Sequence, residues 1–227
     1  MGSSLLLLII SSILLFLTLI ASALFLENSF IWISFLMICL AIVPFFLRFE
    51  RKKVTSREIV IIAILAAIAA LSRVPFAAIP SVQPTTFVII ISGLVFGAES
   101  GFLIGATAAL VSNMLLGQGP WTPWQMYAWG MIGFFAGVFR NHPFMKKIFG
   151  QSIFGIVVGF AFGWFMNLWF IVGFMDSIDW KVILVYFSSS FYFDLRHAIS
   201  NVVFILLFSK SWEKILTRFK TKYGILV

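Results

Sequence analysis

Long apolar runs separated by short polar stretches dominate the chain. Eight such runs occupy residues 5–26, 30–47, 59–71, 85–96, 102–116, 126–139, 153–174 and 182–208. Each is continuous rather than alternating, which argues against membrane strands. Backbone in hydrocarbon must also satisfy its own hydrogen bonds, as a helix does. The pattern therefore predicts an all-α, polytopic membrane protein of eight helices. A crossing of ~30 Å takes ~20 apolar residues, so the short fourth and sixth runs are expected to be tilted or partly buried. Thr55-x-x-Glu58 ahead of the third run reads as a capping box. A proline-punctuated loop is expected at 75–84, a tight turn at 97–101, a Gly-, Pro- and Trp-rich loop at 117–124 and an acidic loop at 175–181. The basic tail from Ser209 is expected to lie on the membrane surface.

Composition sharpens this picture. Of the 227 residues 62% are apolar and 11% charged, and mean hydropathy is +1.09. These values exclude a disordered chain, a disulfide scaffold and an ordinary water-soluble enzyme. The net charge of +8 would suggest nucleic acid in a soluble protein, but thirteen of the sixteen basic residues lie in the stretches 48–57, 140–147 and 210–222. Each borders an apolar run, which is the pattern of cytoplasmic loops. Anionic lipid is the simpler partner for that charge, and nucleic acid is not expected. With these stretches inside, both termini are cytoplasmic in a multi-pass plasma-membrane protein, and the 75–84, 117–124 and 175–181 loops face out. Only Arg73 and Lys181 lie on that outer side, and Arg196 is the one basic residue inside a helix. Cys39 is the single cysteine and cannot form an internal disulfide. Ala21-Ser22-Ala23 resembles a signal-peptide cleavage site, but no basic region precedes it and the apolar run is too long, so an uncleaved helix is expected.

Candidate chemistry is sparse. Small residues recur at four-residue spacing (Gly97/Gly101/Gly105, Gly133/Gly137, Gly155/Gly159/Gly163), which suits close helix packing. Ala63/Ala67 and Ala66/Ala70 do the same on the third run, where an external helix could also dock. The outward segments bring together Gln83, Thr85, Asn113, Gln118, Thr122 and Gln125 as polar groups, with Trp121, Trp124 and Tyr127 as flat apolar faces. Such a polar-rimmed apolar cup suits a small ligand. Asp194, His197 and Asn201 share one face of the last helix, and ionisable groups within a membrane default to a functional reading. The alternative is a structural network joining Asp194 to Arg196 or to Asn167 on the seventh run. His142 and His197 are far apart, so no metal site is expected. No nucleophile elbow, zinc-protease helix or P-loop occurs. The chain is thus expected to be no enzyme and to need no cofactor, and energy must come from a partner or an ion gradient. A stand-alone secondary transporter relaying protons through Asp194, Arg196 and His197 is the competing class.

From about Arg57 onward the chain resembles the substrate-binding S components of energy-coupling factor (ECF) vitamin transporters. The resemblance runs through Ala63-x-x-Ala66-Ala67-x-x-Ala70, Ile79-Pro80-x-x-Gln83-Pro84, Gly97-x-x-x-Gly101, the string from Gly117 to Met126, and Phe193-Asp194-Leu195-x-His197-Ala198. The cobalamin-type members look most similar. The resemblance implies a six-helix substrate-binding core over 50–227, preceded by two additional transmembrane helices over 1–49. It implies a vitamin, cobalamin or a related corrinoid, bound near the outer face as transported substrate rather than cofactor, with another vitamin or vitamin precursor as the alternative. It also implies docking of an Ala-x-x-x-Ala face on an EcfT-like membrane scaffold driven by two cytoplasmic ATPases (EcfA- and EcfA′-like). Ala63/Ala67 or Ala66/Ala70 would form that face, and the sequence does not choose between them. Asn167, Asp194, His197 and Asn201 would line or stiffen the floor of the binding site.

Overall fold

A computed structural model of the protein describes residues 55–174 and 179–225, with isolated positions between 13 and 47. Helix α1 spans Ser56–Leu71 and is followed by one 3-10 turn, Val74–Phe76; α2 spans Pro84–Phe96, α3 Ala98–Leu116, α4 Thr122–Val138, α5 Ile148–Phe174 and α6 Trp180–Tyr223. No strand occurs among the described residues. Counting the 3-10 turn with α1, that segment, α3, α5 and α6 are each long and apolar enough to cross a bilayer, and α2 is a shorter apolar helix. The chain is an all-α polytopic membrane protein. These six helices correspond to the third to eighth apolar runs; the first two runs lie largely outside the described residues.

Local sequence explains where the helices begin and end. The Glu58 carboxylate accepts hydrogen bonds from the Thr55 backbone N–H at 2.6 Å and hydroxyl at 3.1 Å, as the capping-box spacing predicts. Proline occupies the first turn of α2 and of α4, where a missing N–H costs nothing. Gly97 alone turns the chain between α2 and α3, at φ 97°, a region that suits glycine.

The recurrent glycines pack helix on helix within this chain. A Cβ on Gly101 would collide with the backbone of Gly133, one on Gly105 with that of Trp129, and one on Gly159 with Ala198 of α6. The α3–α4 and α5–α6 pairs are therefore antiparallel and in close backbone contact. A core of α2 with the inward faces of α1, α3 and α4 holds Ile89, Ile90, Ile91, Ile104 and Trp129 fully buried.

Two boundaries differ from expectation. The 117–124 stretch is not all loop: α4 already starts at Thr122, because Pro123 is preset for a first helical turn. The basic tail is not a separate surface helix either. α6 continues unbroken for 44 residues, because Leu216 is buried and Trp212 packs on the core. Lys220 Nζ adds a hydrogen bond to the Val95 carbonyl at the end of α2, 2.9 Å away.

Candidate functional site

The basic residues Arg57, Arg140 and Lys220 mark one end of the bundle, and the polar candidates gather at the other. Helix α2 has 13 residues, a length of about 20 Å at 1.5 Å per residue. Its start lies level with the middle of α6. The Gln83 N–H donates to Ser200 Oγ at 3.2 Å, and Thr86 Oγ1 lies 2.8 Å from His197 Nε2. α6 begins at Trp180, roughly 30 Å of helix away from Ser200. The start of α2 is therefore a step below the ends of α5 and α6. The 72–83 loop, the end of α3 and the start of α4 border that step.

A polar ring ties these borders together. Asn113, at the end of α3, is buried and uses both ends of its amide. Its Oδ1 accepts from Arg73 Nη1 at 3.0 Å, and its Nδ2 donates to Thr122 Oγ1 at 3.0 Å and Gln125 Oε1 at 2.7 Å. Arg73 Nη1 also donates to Ser112 Oγ at 2.6 Å, and its guanidinium lies 4.9 Å from the centre of the Trp129 ring. The Thr122 hydroxyl donates to Gln118 Oε1 at 2.9 Å and accepts from the Gly119 N–H at 3.3 Å, closing the loop before α4. Gln118 Nε2 reaches back to the Leu110 carbonyl at 3.3 Å.

Beneath this ring is a second, fully buried group. Thr86 Oγ1 accepts from Trp129 Nε1 at 3.1 Å and shares its other bond with His197. Phe162 meets the His197 ring edge-on at 5.3 Å. A third group bridges α5 and α6: Asn167 Nδ2 donates to Ser190 Oγ at 2.6 Å, and Ser190 Oγ donates to Asp194 Oδ2 at 2.9 Å. Asp194 is pressed against Gly163, where a Cβ would collide with its carboxylate. Aromatic rings fill the space between: Trp124 and Tyr127 lie 5.1 and 5.7 Å from Phe165, and Trp121 lies 6.0 Å from Trp169.

The residues singled out in the sequence thus separate into distinct places. Asn113, Gln118, Thr122 and Gln125 form one bonded ring, with Trp121 half-buried beside it. Thr85 belongs elsewhere: it donates to the Ala69 carbonyl at 2.7 Å and fastens α2 to α1. Trp124 is fully buried in the first turn of α4. Asn201 donates to the Gly155 carbonyl at 2.9 Å, on the basic side of His197. Asp194 is joined to Asn167 through Ser190, and Arg196 points away as an exposed residue. Sequence reading missed Arg73, Ser112 and Thr86. A hydroxyl inside an apolar run gives no signal, but Arg73, one of two cations on an end otherwise short of basic residues, could have been found that way.

Burial also separates the two alanine registers on α1. Ala66 and Ala70 are buried, 1% and 0% exposed, whereas Ala63 is exposed and Ala67 half-buried beside the exposed Val60, Ile64 and Ile68. The Ala66/Ala70 face is filled by the chain itself, and of the two registers it is Ala63/Ala67 that the described residues leave open to another helix.

Chemically, the arrangement offers amide, hydroxyl and guanidinium hydrogen bonds beside aromatic faces. That is the equipment of recognition rather than of bond cleavage. Ser81 Oγ, Gln83 Oε1 and Trp124 Nε1 are buried without hydrogen-bond partners among the described residues. Such atoms are rare in native proteins.

Comparison with known proteins agrees with this reading. A 98-residue stretch is 29% identical to the UPF0397 protein VS_II0189 of Vibrio atlanticus (strain LGP32), covering 41% of this chain and 52% of that protein. The chain thus spans about half the length of that curated relative. No solved structure matches. The family model "ECF transporter, substrate-specific component" matches residues 57–209, from the start of α1 deep into α6. The chain belongs to the substrate-specific components of ECF transporters.

Proposed function

We propose that this S component binds a vitamin, cobalamin or a related corrinoid, at the stepped end of the bundle, and that this end faces out of the cell. The Arg73–Asn113–Gln125 ring carries the reading, because it gathers polar groups from three elements around the one place where α2 falls short of its neighbours. A corrinoid is large and rich in amides. Amide partners in Gln83, Gln118 and Gln125, the last held in place by the buried Asn113, with the half-buried ring of Trp121 backed by the aromatic cluster that includes Tyr127, suit it. Asp194 and His197 hold the helices beneath the site rather than meet the solute. The positive-inside bias supports the orientation, since the opposite end carries most of the lysine and arginine.

Transport then requires other polypeptides. The open Ala63/Ala67 face of α1 is the surface that fits an EcfT-like scaffold helix, because two small side chains one turn apart let backbones approach. Two EcfA-like cytoplasmic ATPases supply the energy. Titrating the detergent-solubilised chain with cyanocobalamin, read by quenching of tryptophan fluorescence, tests the substrate. Saturable one-to-one binding is expected. A flat titration, with another vitamin saturating the signal instead, moves the chain to a different substrate within the same family.

A further inference from the structure

We infer that Arg73 recognises an anionic oxygen group, carboxylate or phosphate ester, on the solute this protein binds; the inference rests on the outward binding site proposed above. Arg73 sits just past the end of α1 and is half-buried. Its known partners are both neutral and both engage one nitrogen: Nη1 donates to Ser112 Oγ at 2.6 Å and to Asn113 Oδ1 at 3.0 Å. One face of the guanidinium is against the fully buried Trp129 ring. No carboxylate among the described residues pairs with it. Asp194, an acidic group buried in the same half of the bundle, is held by Ser190 instead. Nη2 and Nε have no hydrogen-bond partner among the described residues.

A cation withdrawn from water normally sits beside an anion, because its desolvation is otherwise uncompensated. Arginine in particular presents a planar fork that matches the two oxygens of a carboxylate or phosphate. Here the fork is held rigidly, by Ser112 and Asn113 on one edge and Trp129 beneath, while its other edge is left for a partner. Simple anchoring of the loop to α3 would need only the Nη1 bonds, which a glutamine or lysine could supply in part. Holding a permanent charge over Trp129, in an apolar bundle, is explained by a solute that brings the opposite charge. Ser81 and Gln83, whose buried side-chain oxygens have no partner among the described residues, lie on the same loop as Arg73 and would accept donors from the rest of the solute.

The experiment is mass spectrometry of small molecules released from the purified full-length chain, compared with Arg73→Gln and Arg73→Lys, with elution volume and thermal stability checking that each variant folds. The wild-type chain is expected to release a solute that carries a carboxylate or a phosphate ester, ionised at pH 7 whatever the net charge of the whole. Arg73→Gln should carry at least about tenfold less of it at equal protein, with Arg73→Lys between the two. Phosphorus in the accurate mass identifies a phosphate ester, and its absence with loss of carbon dioxide on fragmentation identifies a carboxylate. A solute with neither a carboxylate nor a phosphate ester, or one with such a group carried equally by a folded Arg73→Gln, overturns the inference and leaves the binding site standing. Absence of any solute from the wild-type chain overturns the binding reading itself, and the inference with it.

Discussion

Thr86 and His197, 111 residues apart, meet through a 2.8 Å hydrogen bond in the buried middle of the bundle. Because Thr86 also accepts from Trp129, three helices (α2, α4 and α6) depend on one hydroxyl. Thr86→Val keeps the shape and removes both bonds, leaving Trp129 Nε1 and His197 Nε2 buried and unsatisfied. Each such orphan costs about 1–3 kcal/mol. The variant is expected to insert but to unfold at lower temperature in detergent, as read by a thermal-shift assay. An unchanged melting temperature would show that this hydroxyl is dispensable.

The two alanine registers should separate cleanly. Ala67→Phe adds bulk to the open face of α1, so solute binding and stability should be retained while cellular uptake is abolished. Ala70→Leu instead overpacks the interior, at a typical cost of 1–3 kcal/mol, and should lower stability before any effect on docking is seen. Uptake and melting measured on both variants decide the matter. Loss of uptake without loss of stability in Ala70→Leu would assign docking to the other register.

Close backbone contacts carry a comparable prediction. Gly133→Ala places a methyl group on the backbone of Gly101, so α3 and α4 must move apart. Because α3 and α4 also present Asn113 and Gln125, the variant should lose solute binding together with stability. Full binding by Gly133→Ala would mean that this interhelix contact does not set the ring.

Asn113 is the joint of the ring, with hydrogen bonds to Arg73, Thr122 and Gln125. Asn113→Leu conserves volume and removes all three. Solute affinity should fall by at least about tenfold, the equivalent of 1.4 kcal/mol, in the fluorescence titration. An undiminished affinity would remove the ring from the binding site.

Much of this architecture is legible in the residues before any fold is known. The apolar runs mark all six described helices, and the clustered lysines and arginines mark one end. The glycine spacing foretells the α3–α4 and α5–α6 contacts. What stays hidden depends on partners distant in sequence. Arg73 meets Ser112 and Asn113 across 39 and 40 residues, and nothing near it announces the pairing. Trp124 looks like a loop aromatic until Pro123 is seen to start a helix, which carries the ring into the core. The two alanine registers have identical spacing, and only packing shows which is already covered. The basic tail looks like a surface segment because its charges dominate, although Trp212 and Leu216, one turn apart, keep a core-facing stripe.

The central claim, that this bundle binds its solute from outside and is moved only by other polypeptides, is tested most directly in proteoliposomes. The solute that co-purifies with the chain is offered externally to vesicles holding the chain alone, or the chain with a scaffold and two ATPases plus ATP. The account predicts surface binding without accumulation in the first case and ATP-dependent accumulation in the second. Accumulation by the chain alone, abolished by an uncoupler, would contradict it.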